Sequence, residues 1–248
     1  MDIIINIEVC VDSIRSAKIA ESAGVSRIEL CTGLSVGGIT PYYSLIEESL
    51  SVLNIPVHVL IRPRGGDFLY DDTDFCLIKR DIEFCGKSGC HGVVIGILTA
   101  DGEVDIDRCA ELISLAREYD LSVTFHRAFD CCCNLQKALE DVIDLGCDRI
   151  LTSGGCSTAY QGMENIKQLV LLSDERIKIM AGAGITSNNI EKLIRKTGIK
   201  EIHGTFSSPV ESNMKYKVQS LFSDQDYIQY FSDENILKEV VKISSYFQ

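Results

Sequence analysis

The stretch NIEVCVDSIRSAKIAESAGVSRIELC, residues 6–31, contains one complete strand–helix–strand unit. Its two ends, residues 6–10 and 27–31, alternate in the manner of strands, and each carries a glutamate followed two positions later by a cysteine. Between them, residues 13–24 place apolar side chains at helical spacing and end in glycine, the usual residue after the last helical turn. The stretch therefore predicts two parallel strands joined by an amphipathic helix.

The same alternation of strand and helix continues along the chain. Eight segments are predicted to be strands: 5–10, 27–31, 57–63, 92–98, 122–129, 148–154, 177–184 and 201–206. Eight strand–helix repeats over about 250 residues are typical of a (β/α)8 TIM barrel, a closed α/β fold of parallel strands. We predict a single such domain over residues 1–248, in which residues 207–232 form an insertion between the eighth strand and a last helix.

A doubly wound open sheet is the alternative arrangement of the same elements. That fold carries a GxGxxG turn after its first strand, and CVDSIR (10–15) does not provide one. The chain also has no linker or low-complexity break, so the barrel is the preferred interpretation.

The composition limits the classes of function. A formal net charge of −12 disfavours binding to nucleic acid or to an anionic membrane surface, because an acidic face repels phosphate. No apolar run reaches the ~18 residues of a membrane helix, and MDIIINIEVC (1–10) lacks the features of a signal peptide. The 11 cysteines are scattered without zinc-finger spacing, which indicates a reducing, cytoplasmic environment.

Polar residues occupy alternate positions near the ends of the predicted strands. Since alternate side chains of a barrel strand point into the lumen, this spacing turns the following residues inward: Glu8, Cys10, Glu29, Cys31, Arg62, Thr124, His126 and His203. One interpretation is an architectural plug of paired charges that fixes the strand register. Their position at the C-terminal ends of the strands, where barrels carry their chemistry, favours a functional site.

Within this set we predict four catalytic residues: Glu8, Glu29, Arg62 and His126. Either Glu29 or His126 is expected to act as the general base. Arg62 is expected to neutralise an anionic substrate.

Two glycine-rich turns give a separate signal. TSGG (152–155) follows the sixth strand and AGAG (181–184) follows the seventh. Backbone N–H groups at such turns bind anions, and barrels often bind phosphate near their last strands. We predict an anion site formed by Arg64, Gly154, Gly155, Gly182 and Gly184. The simpler interpretation is that the glycines only permit tight turns; a third glycine loop, residues 33–41, is predicted to form a lid.

The cysteines that end the first two strands form the candidate metal site. Strand spacing and barrel stagger place the Cα atoms of Cys10 and Cys31 about 6 Å apart. Both sulfurs then reach one soft cation, and thiolates prefer Cu(I) or zinc to hard ions. The alternatives are a disulfide or two reduced thiols that pack as small apolar groups. The run FDCCCN (129–134) is interpreted as loop filler, because three consecutive side chains point in different directions.

Several long motifs resemble the CutC copper-homeostasis family. They include EVCVDS, RIELC, IRPRGGDF, TFHRAFD and RILTSGG, and the similarity runs from about residue 5 to residue 206. The resemblance implies a TIM barrel, a cytoplasmic protein, a homodimer or higher homo-oligomer, and a role in copper handling with Cu(I) on Cys10 and Cys31. Val36 departs from the family where an acid is expected in the lid loop, and Ala183 departs where glycine is common.

The same resemblance leaves the type of function open. The strand-end residues that match the family look like an enzyme pocket: Glu8, Glu29, Arg62, Arg64, Asp67, His126, Arg127 and Asp130. The first hypothesis is Cu(I) binding through Cys10 and Cys31. The second is a barrel enzyme acting on a small phosphorylated or anionic substrate, and the third is a purely structural barrel. The expected partner is accordingly a copper ion or a small anionic ligand.

Overall fold

The computed structural model describes residues 5–218, 220–221 and 223–247, so residues 1–4, 219, 222 and 248 of the predicted domain lie outside the described part. Eight strands form the barrel: β1 (Asn6–Val11), β2 (Arg27–Leu30), β3 (Val57–Leu60), β4 (Gly92–Ile95), β5 (Ser122–Phe125), β6 (Arg149–Thr152), β7 (Lys178–Ala181) and β8 (Glu201–Gly204). Each pairs in parallel with the next, and β8 pairs with β1. This closed sheet confirms the predicted (β/α)8 TIM barrel.

The helices of the described part connect successive strands, and the last follows the insertion. They are α1 (Ile14–Ser22), α2 (Tyr43–Val52), α3 (Asp72–Ser88), α4 (Ile106–Arg117), α5 (Leu135–Asp144), α6 (Met163–Ser173), α7 (Ile190–Thr197) and α8 (Glu234–Ser245). Local sequence sets their ends: Asp71 caps α3 by accepting from Asp74 N, and Gly89 ends it in the left-handed conformation. Among the described residues, no helix has the length and apolar character needed to cross a bilayer.

The apolar core lies between the strands and the helices. Val9, Ile28 and Val59 point outward from β1, β2 and β3, are fully buried, and belong to the same cluster as Ala17 and Ala20 of α1. Each large apolar side chain buried in this layer contributes about 1.5–3 kcal/mol relative to exposure. Because outward positions are apolar, the alternate polar residues face the lumen.

Seven of the eight predicted strands, all but the first, extend too far toward the barrel mouth, and for the third and the fifth this affects site residues. The third ends at Leu60 rather than residue 63, and the fifth ends at Phe125 rather than residue 129. His126 instead begins the 3₁₀ turn Arg127–Cys131, because its ring accepts a hydrogen bond from the backbone inside that turn. Arg62 and His126 therefore stand in loops at the mouth of the barrel.

The segment after β8 forms a small antiparallel sheet outside the barrel. Its strands are β9 (Ser207–Glu211) and β10 (Ile228–Ser232). The backbone N–H of Ser232 donates to Ser16 Oγ at 3.1 Å, which attaches β10 to α1. The predicted insertion thus contains a hairpin that packs against the first helix.

Candidate functional site

The N-terminal part of the lumen contains four buried charged side chains, which we call the lumen network: Glu8, Arg27, Arg149 and Glu201. Arg27 donates from Nε to Glu8 and from Nη2 to Glu201 Oε2, the latter at 2.6 Å. Arg149 Nε donates to the same Glu201 oxygen at 3.2 Å. Two cations and two anions thus compensate one another, as buried charges require.

Glu8 belongs to this network, although it was predicted to be catalytic. Its side chain is fully buried, and its Oε1 lies 2.8 Å from Nδ1 of His203. Burial would raise the pKa of Glu8, but the Arg27 guanidinium and His203 together hold that pKa well below its ordinary value. Glu8 is therefore a fixed carboxylate that orients its neighbours.

Three members of the lumen network and one neighbouring histidine were not predicted from the sequence: Arg27, Arg149, Glu201 and His58. Arg27 precedes the inward Glu29 by two positions, and Glu201 likewise precedes His203. Alternate side chains along a barrel strand point into the lumen. The same alternation, extended back to the strand starts, therefore places Arg27 and Glu201 in the lumen.

A cavity of about 400 Å³ opens beyond the lumen network, at the C-terminal ends of the strands. Five predicted site residues line it: Cys10, Glu29, Arg62, His126 and Gly184. The other predicted site residues do not line it: Glu8, Cys31, Arg64, Gly154, Gly155 and Gly182. The structure thus brings together the polar strand-end residues and separates them from most of the predicted anion site.

The two candidate metal-binding cysteines are in contact, with Cys10 lining the cavity and Cys31 buried behind it. Their Sγ atoms are 3.4 Å apart, and Cys10 Sγ also donates to Glu29 Oε1 at 3.4 Å. The strand register pairs Cys10 with Glu29, so Cys31 stands two residues nearer the mouth, one more than the stagger estimate. The contact with Cys31 and burial raise the pKa of the Cys10 thiol well above its ordinary value, so without a metal it is protonated.

Glu29 is a buried carboxyl group without a cationic partner. Of the three buried glutamates, it alone forms no ion pair with the described residues, and its Oε2 has no hydrogen-bond partner there either. Burial raises the pKa of Glu29, and the nearby Glu8 adds to this, while His203 acts in the opposite direction. A carboxyl group of raised pKa in a cavity suits proton transfer or cation binding.

His126 is held in one neutral tautomer. Its Nδ1 accepts a hydrogen bond from Ala128 N at 3.1 Å, so the ring proton lies on Nε2. Burial, with Arg62 nearby, lowers the pKa of His126 to about 3. Nε2 is buried and finds no partner in the described part of the chain. The ring is therefore equipped as a hydrogen-bond donor, whereas the general base suggested by the sequence requires a free ring lone pair.

Arg62 fastens the lid loop, residues 33–41, to the barrel mouth. Its Nη1 donates to the carbonyl oxygens of Val36 and Gly38 at 2.9 and 2.8 Å. Its Nη2 donates to Gly66 O at 2.7 Å, while Nε is buried and unpartnered among the described residues. Three of the five guanidinium N–H groups thus bind backbone carbonyls, and Nε is the guanidinium nitrogen that has no partner among the described residues.

The lid loop also covers Cys31, whose side chain is fully buried. A Cβ atom at Gly38 would lie 2.7 Å from Leu60 Cδ2 and 3.8 Å from Cys31 Sγ. Gly38 has a φ of +85°, which favours glycine, and the absence of a Cβ atom leaves room for the Leu60 side chain beside Cys31.

Arg64 lies outside the cavity. Its Nη2 donates to Asp67 Oδ1 at 2.9 Å and its Nε to Asp74 Oδ2 at 3.1 Å. Further bonds to loop carbonyls occupy Nη1. Arg64 therefore stabilises its own loop.

The TSGG turn already binds an anion from the chain itself. Asp130 Oδ1 accepts from Ser153 N at 3.0 Å and from Gly155 N at 2.9 Å. Gly154 N donates to Thr152 Oγ1 at 2.8 Å. The predicted cradle of Gly154 and Gly155 exists, but an internal carboxylate fills it.

The AGAG turn differs from TSGG in having unused donors. Gly182 N donates to Thr152 O at 3.0 Å. The N–H groups of Ala183, Gly184 and Ile185 make no hydrogen bond within the described residues, and all three residues line the cavity. This turn therefore retains the capacity to bind an anion.

A sequence model of the CutC family matches residues 5–208 of the chain. The chain belongs to the CutC family. A relative from Histophilus somni, called a family protein CutC, is 43% identical over 246 residues, which cover 98% of this chain and 99% of that protein. One of the same description from Vibrio vulnificus (strain YJ016) is 47% identical over 210 residues, covering 85% and 84% of the two chains.

A solved structure of the CutC family has the same fold. It is the crystal structure of a CutC protein from Streptococcus agalactiae, provisionally described as a copper homeostasis protein. It superposes with a TM-score of 0.77 at 34% identity, covering 82% of this chain and 99% of that one. The CutC match includes every residue that lines the cavity, and it ends before β10 and α8.

Proposed function

We propose that the chain binds Cu(I) through Cys10 and Cys31 as part of copper handling. The observation that carries this proposal is the 3.4 Å separation of the two Sγ atoms at the cavity floor. Two sulfurs this close can ligate one ion, and thiolates are the ligands that Cu(I) prefers. The description of the Streptococcus agalactiae relative as a copper homeostasis protein supports the same assignment.

The surroundings of the pair support entry of an ion from the cavity. Cys10 lines the cavity, whereas Cys31 is covered by the lid loop. A copper ion therefore meets Cys10 first and gains Cys31 second. Because the Cys10 thiol is protonated beforehand, binding releases a proton.

A competition titration tests the proposal. The protein is titrated with Cu(I) under anaerobic, reducing conditions against a chromogenic Cu(I) chelator. The wild type is expected to bind one equivalent of Cu(I) with high affinity, and the double variant Cys10→Ala/Cys31→Ala is expected to lose this binding. A matched control, Cys131→Ser/Cys133→Ser, removes two exposed thiols and is expected to keep it. Equal affinity of wild type and the Cys10→Ala/Cys31→Ala protein contradicts the assignment.

A second function is favoured by a separate observation. Three buried polar atoms on the cavity wall have no hydrogen-bond partner among the described residues: Glu29 Oε2, Arg62 Nε and His126 Nε2. Buried polar groups are ordinarily satisfied, so three unsatisfied atoms in one cavity are typical of a site that awaits a polar ligand. We propose as the alternative an enzyme acting on a small phosphorylated or anionic substrate.

The donors and acceptors suggest roles for that substrate. Glu29 supplies the general base, and His126 donates from Nε2 to a substrate oxygen. The free N–H groups of the AGAG turn hold the anionic group, with Arg62 Nε beside it. Glu8 serves in this scheme by orienting His203.

Isothermal titration calorimetry with inorganic phosphate and with small phosphorylated compounds tests this alternative. Arg62→Lys and His126→Phe are expected to weaken binding at least tenfold. Arg64→Lys, which lies outside the cavity, is the control and should bind as wild type does. Weakening in Arg64→Lys alone, or no binding by the wild type, contradicts the alternative.

We further propose that the protein is cytoplasmic and forms a homodimer or higher oligomer. Four exposed apolar residues lie in the hairpin segment and support an association surface there: Met214, Tyr216, Leu221 and Tyr230. The molar mass in solution, measured by light scattering after gel filtration, tests the oligomer. A monomer at micromolar concentration contradicts it.

A further inference from the structure

We propose that Cys10, Glu29 and His203 form a site for a zinc-type divalent ion, with an open coordination position toward the cavity. One potential ligand atom from each residue lies within 4.8 Å of the other two. This set shares only Cys10 with the Cu(I) pair, and it stands or falls separately from the copper proposal. It lies at the cavity floor, on β1, β2 and β8.

The distances suit tetrahedral coordination after a small closure. Zinc–sulfur bonds of about 2.3 Å and zinc–oxygen or zinc–nitrogen bonds of about 2.0–2.2 Å place ligand atoms roughly 3.3–3.7 Å apart. The separation of Cys10 Sγ and Glu29 Oε1 is already 3.4 Å. The remaining pairs are at most 4.8 Å apart and need to approach by up to about 1.5 Å to reach that range.

The charges at the site call for a cation. Glu29 is a buried carboxyl group whose Oε2 has no hydrogen-bond partner and which forms no ion pair in the described part of the chain. The other two buried glutamates, Glu8 and Glu201, are both paired with Arg27. No cation of the lumen network pairs with Glu29, so a bound metal ion would supply the compensating positive charge.

His203 is already oriented as metal-binding histidines usually are. Its Nδ1 lies 2.8 Å from Glu8 Oε1, and a carboxylate partner requires the ring proton on Nδ1 when the ring is neutral. The Nε2 lone pair is then available, and Nε2 makes no hydrogen bond to any described residue. A carboxylate behind a ligating histidine fixes its tautomer and raises its basicity, which assigns a positioning function to the buried Glu8.

The donor set selects the class of metal. One sulfur, one imidazole nitrogen and one carboxylate oxygen suit zinc and its spectroscopic substitute cobalt(II), whereas Cu(I) prefers two thiolates. Cys31 Sγ touches Cys10 Sγ, yet Cys31 is not a member of the mutually close group. Three protein ligands leave one tetrahedral position, which faces the cavity and admits a water or a substrate oxygen.

Cobalt(II) absorption spectroscopy tests the site, with a non-thiol reductant present. The wild type is expected to bind one equivalent with a sulfur-to-cobalt charge-transfer band, and zinc is expected to displace it. Cys10→Ser should lose the band, and Glu29→Gln and His203→Gln should weaken binding at least tenfold. Glu8→Gln is expected to weaken binding 10–100-fold through His203. Circular dichroism verifies that each variant is folded.

Cys31→Ser separates this site from the copper site. It is expected to keep cobalt binding within about threefold while losing high-affinity Cu(I). A second readout, the rise in melting temperature caused by zinc, should be present in Cys31→Ser and absent in Glu29→Gln. The proposal is overturned if the wild type does not bind cobalt, if Glu29→Gln and His203→Gln bind as wild type does, or if Cys31→Ser loses cobalt and Cu(I) together.

Discussion

The Nδ1 atom of His203 lies 2.8 Å from Oε1 of Glu8, although 195 residues separate them in the chain. The contact joins the last barrel strand to the first through side chains, at the position where β8 and β1 also pair through their backbones. It connects the lumen network to the floor of the cavity. Stability and site geometry are therefore linked through these two residues.

The lumen network gives a first prediction, concerning the free energy of unfolding. Arg27→Met removes the cation shared by Glu8 and Glu201 and leaves buried negative charge without full compensation. The expected loss is about 3–5 kcal/mol, measured by urea denaturation. Arg195→Met breaks an exposed ion pair with Glu191 and serves as the control, with an expected loss of about 1 kcal/mol or less. Equal losses in the two variants would show that the network does not stabilise the barrel.

The buried His126 predicts a pH dependence of stability. The folded protein lowers its pKa from 6.5 to about 3, so below pH 6.5 the unfolded chain binds a proton that the native state refuses. Stability from this group is complete above pH 6.5 and falls by about 1.4 kcal/mol per pH unit as the pH drops toward 3. His126→Asn keeps an acceptor for Ala128 N but does not titrate. The free energy of unfolding of His126→Asn, measured from pH 6 to pH 4, should fall less steeply than that of the wild type, by about 1.4 kcal/mol per pH unit. Parallel curves for the two proteins contradict the prediction.

The backbone conformation of Ala183 indicates that a substitution at this position would stabilise the protein. Its φ is +76°, a left-handed conformation in which a Cβ atom is strained. Ala183→Gly is expected to raise the free energy of unfolding by about 0.5–1 kcal/mol, because relief of strain exceeds the entropy lost with glycine. Ala181→Gly, in β7 with an ordinary backbone, is the control and should destabilise. Thermal melts of both variants check the prediction, and equal destabilisation refutes it.

Gly96 predicts an energetic coupling with His126. A Cβ atom at Gly96 would lie 2.6 Å from the His126 ring, which is held in place by its bond to Ala128 N. Gly96→Ala is expected to displace the ring and to cost about 1–3 kcal/mol. In a His126→Ala background the same substitution should cost clearly less, since the space is then free. Additive costs in the double-mutant cycle would show that the ring and the glycine do not compete for space.

The sequence was sufficient to predict the barrel and the inward direction of the cavity residues. Glu29, Cys10 and His203 alternate with aliphatic residues that must face the helices. Because side chains alternate along a strand, these three must point into the lumen. Arg27 and Glu201 obey the same period but were not predicted. They lie at the strand starts, whereas the chemistry of such a barrel is expected at the C-terminal strand ends.

The roles of the arginines and glycines could not be predicted reliably from the sequence, because they depend on which partners the loops bring to them. Arg62 and Gly155 carry the expected donors, but loop carbonyls and the Asp130 carboxylate occupy most of them. Asp130 precedes Gly155 by 25 residues, and no periodic pattern indicates that the two meet. A sequence shows which donors exist, whereas their partners depend on loop conformation.

The bonds from Arg62 to the lid loop have a consequence for the kinetics of exchange. Cys31 becomes accessible from the cavity only after Val36 and Gly38 have moved away from the Arg62 guanidinium. Under the proposed copper function, the release of an ion from Cys31 would be limited by loop opening rather than by the metal–sulfur bond alone. If the proposed copper function holds, exchange at Cys31 would therefore be slow, as in a storage protein rather than a rapid carrier.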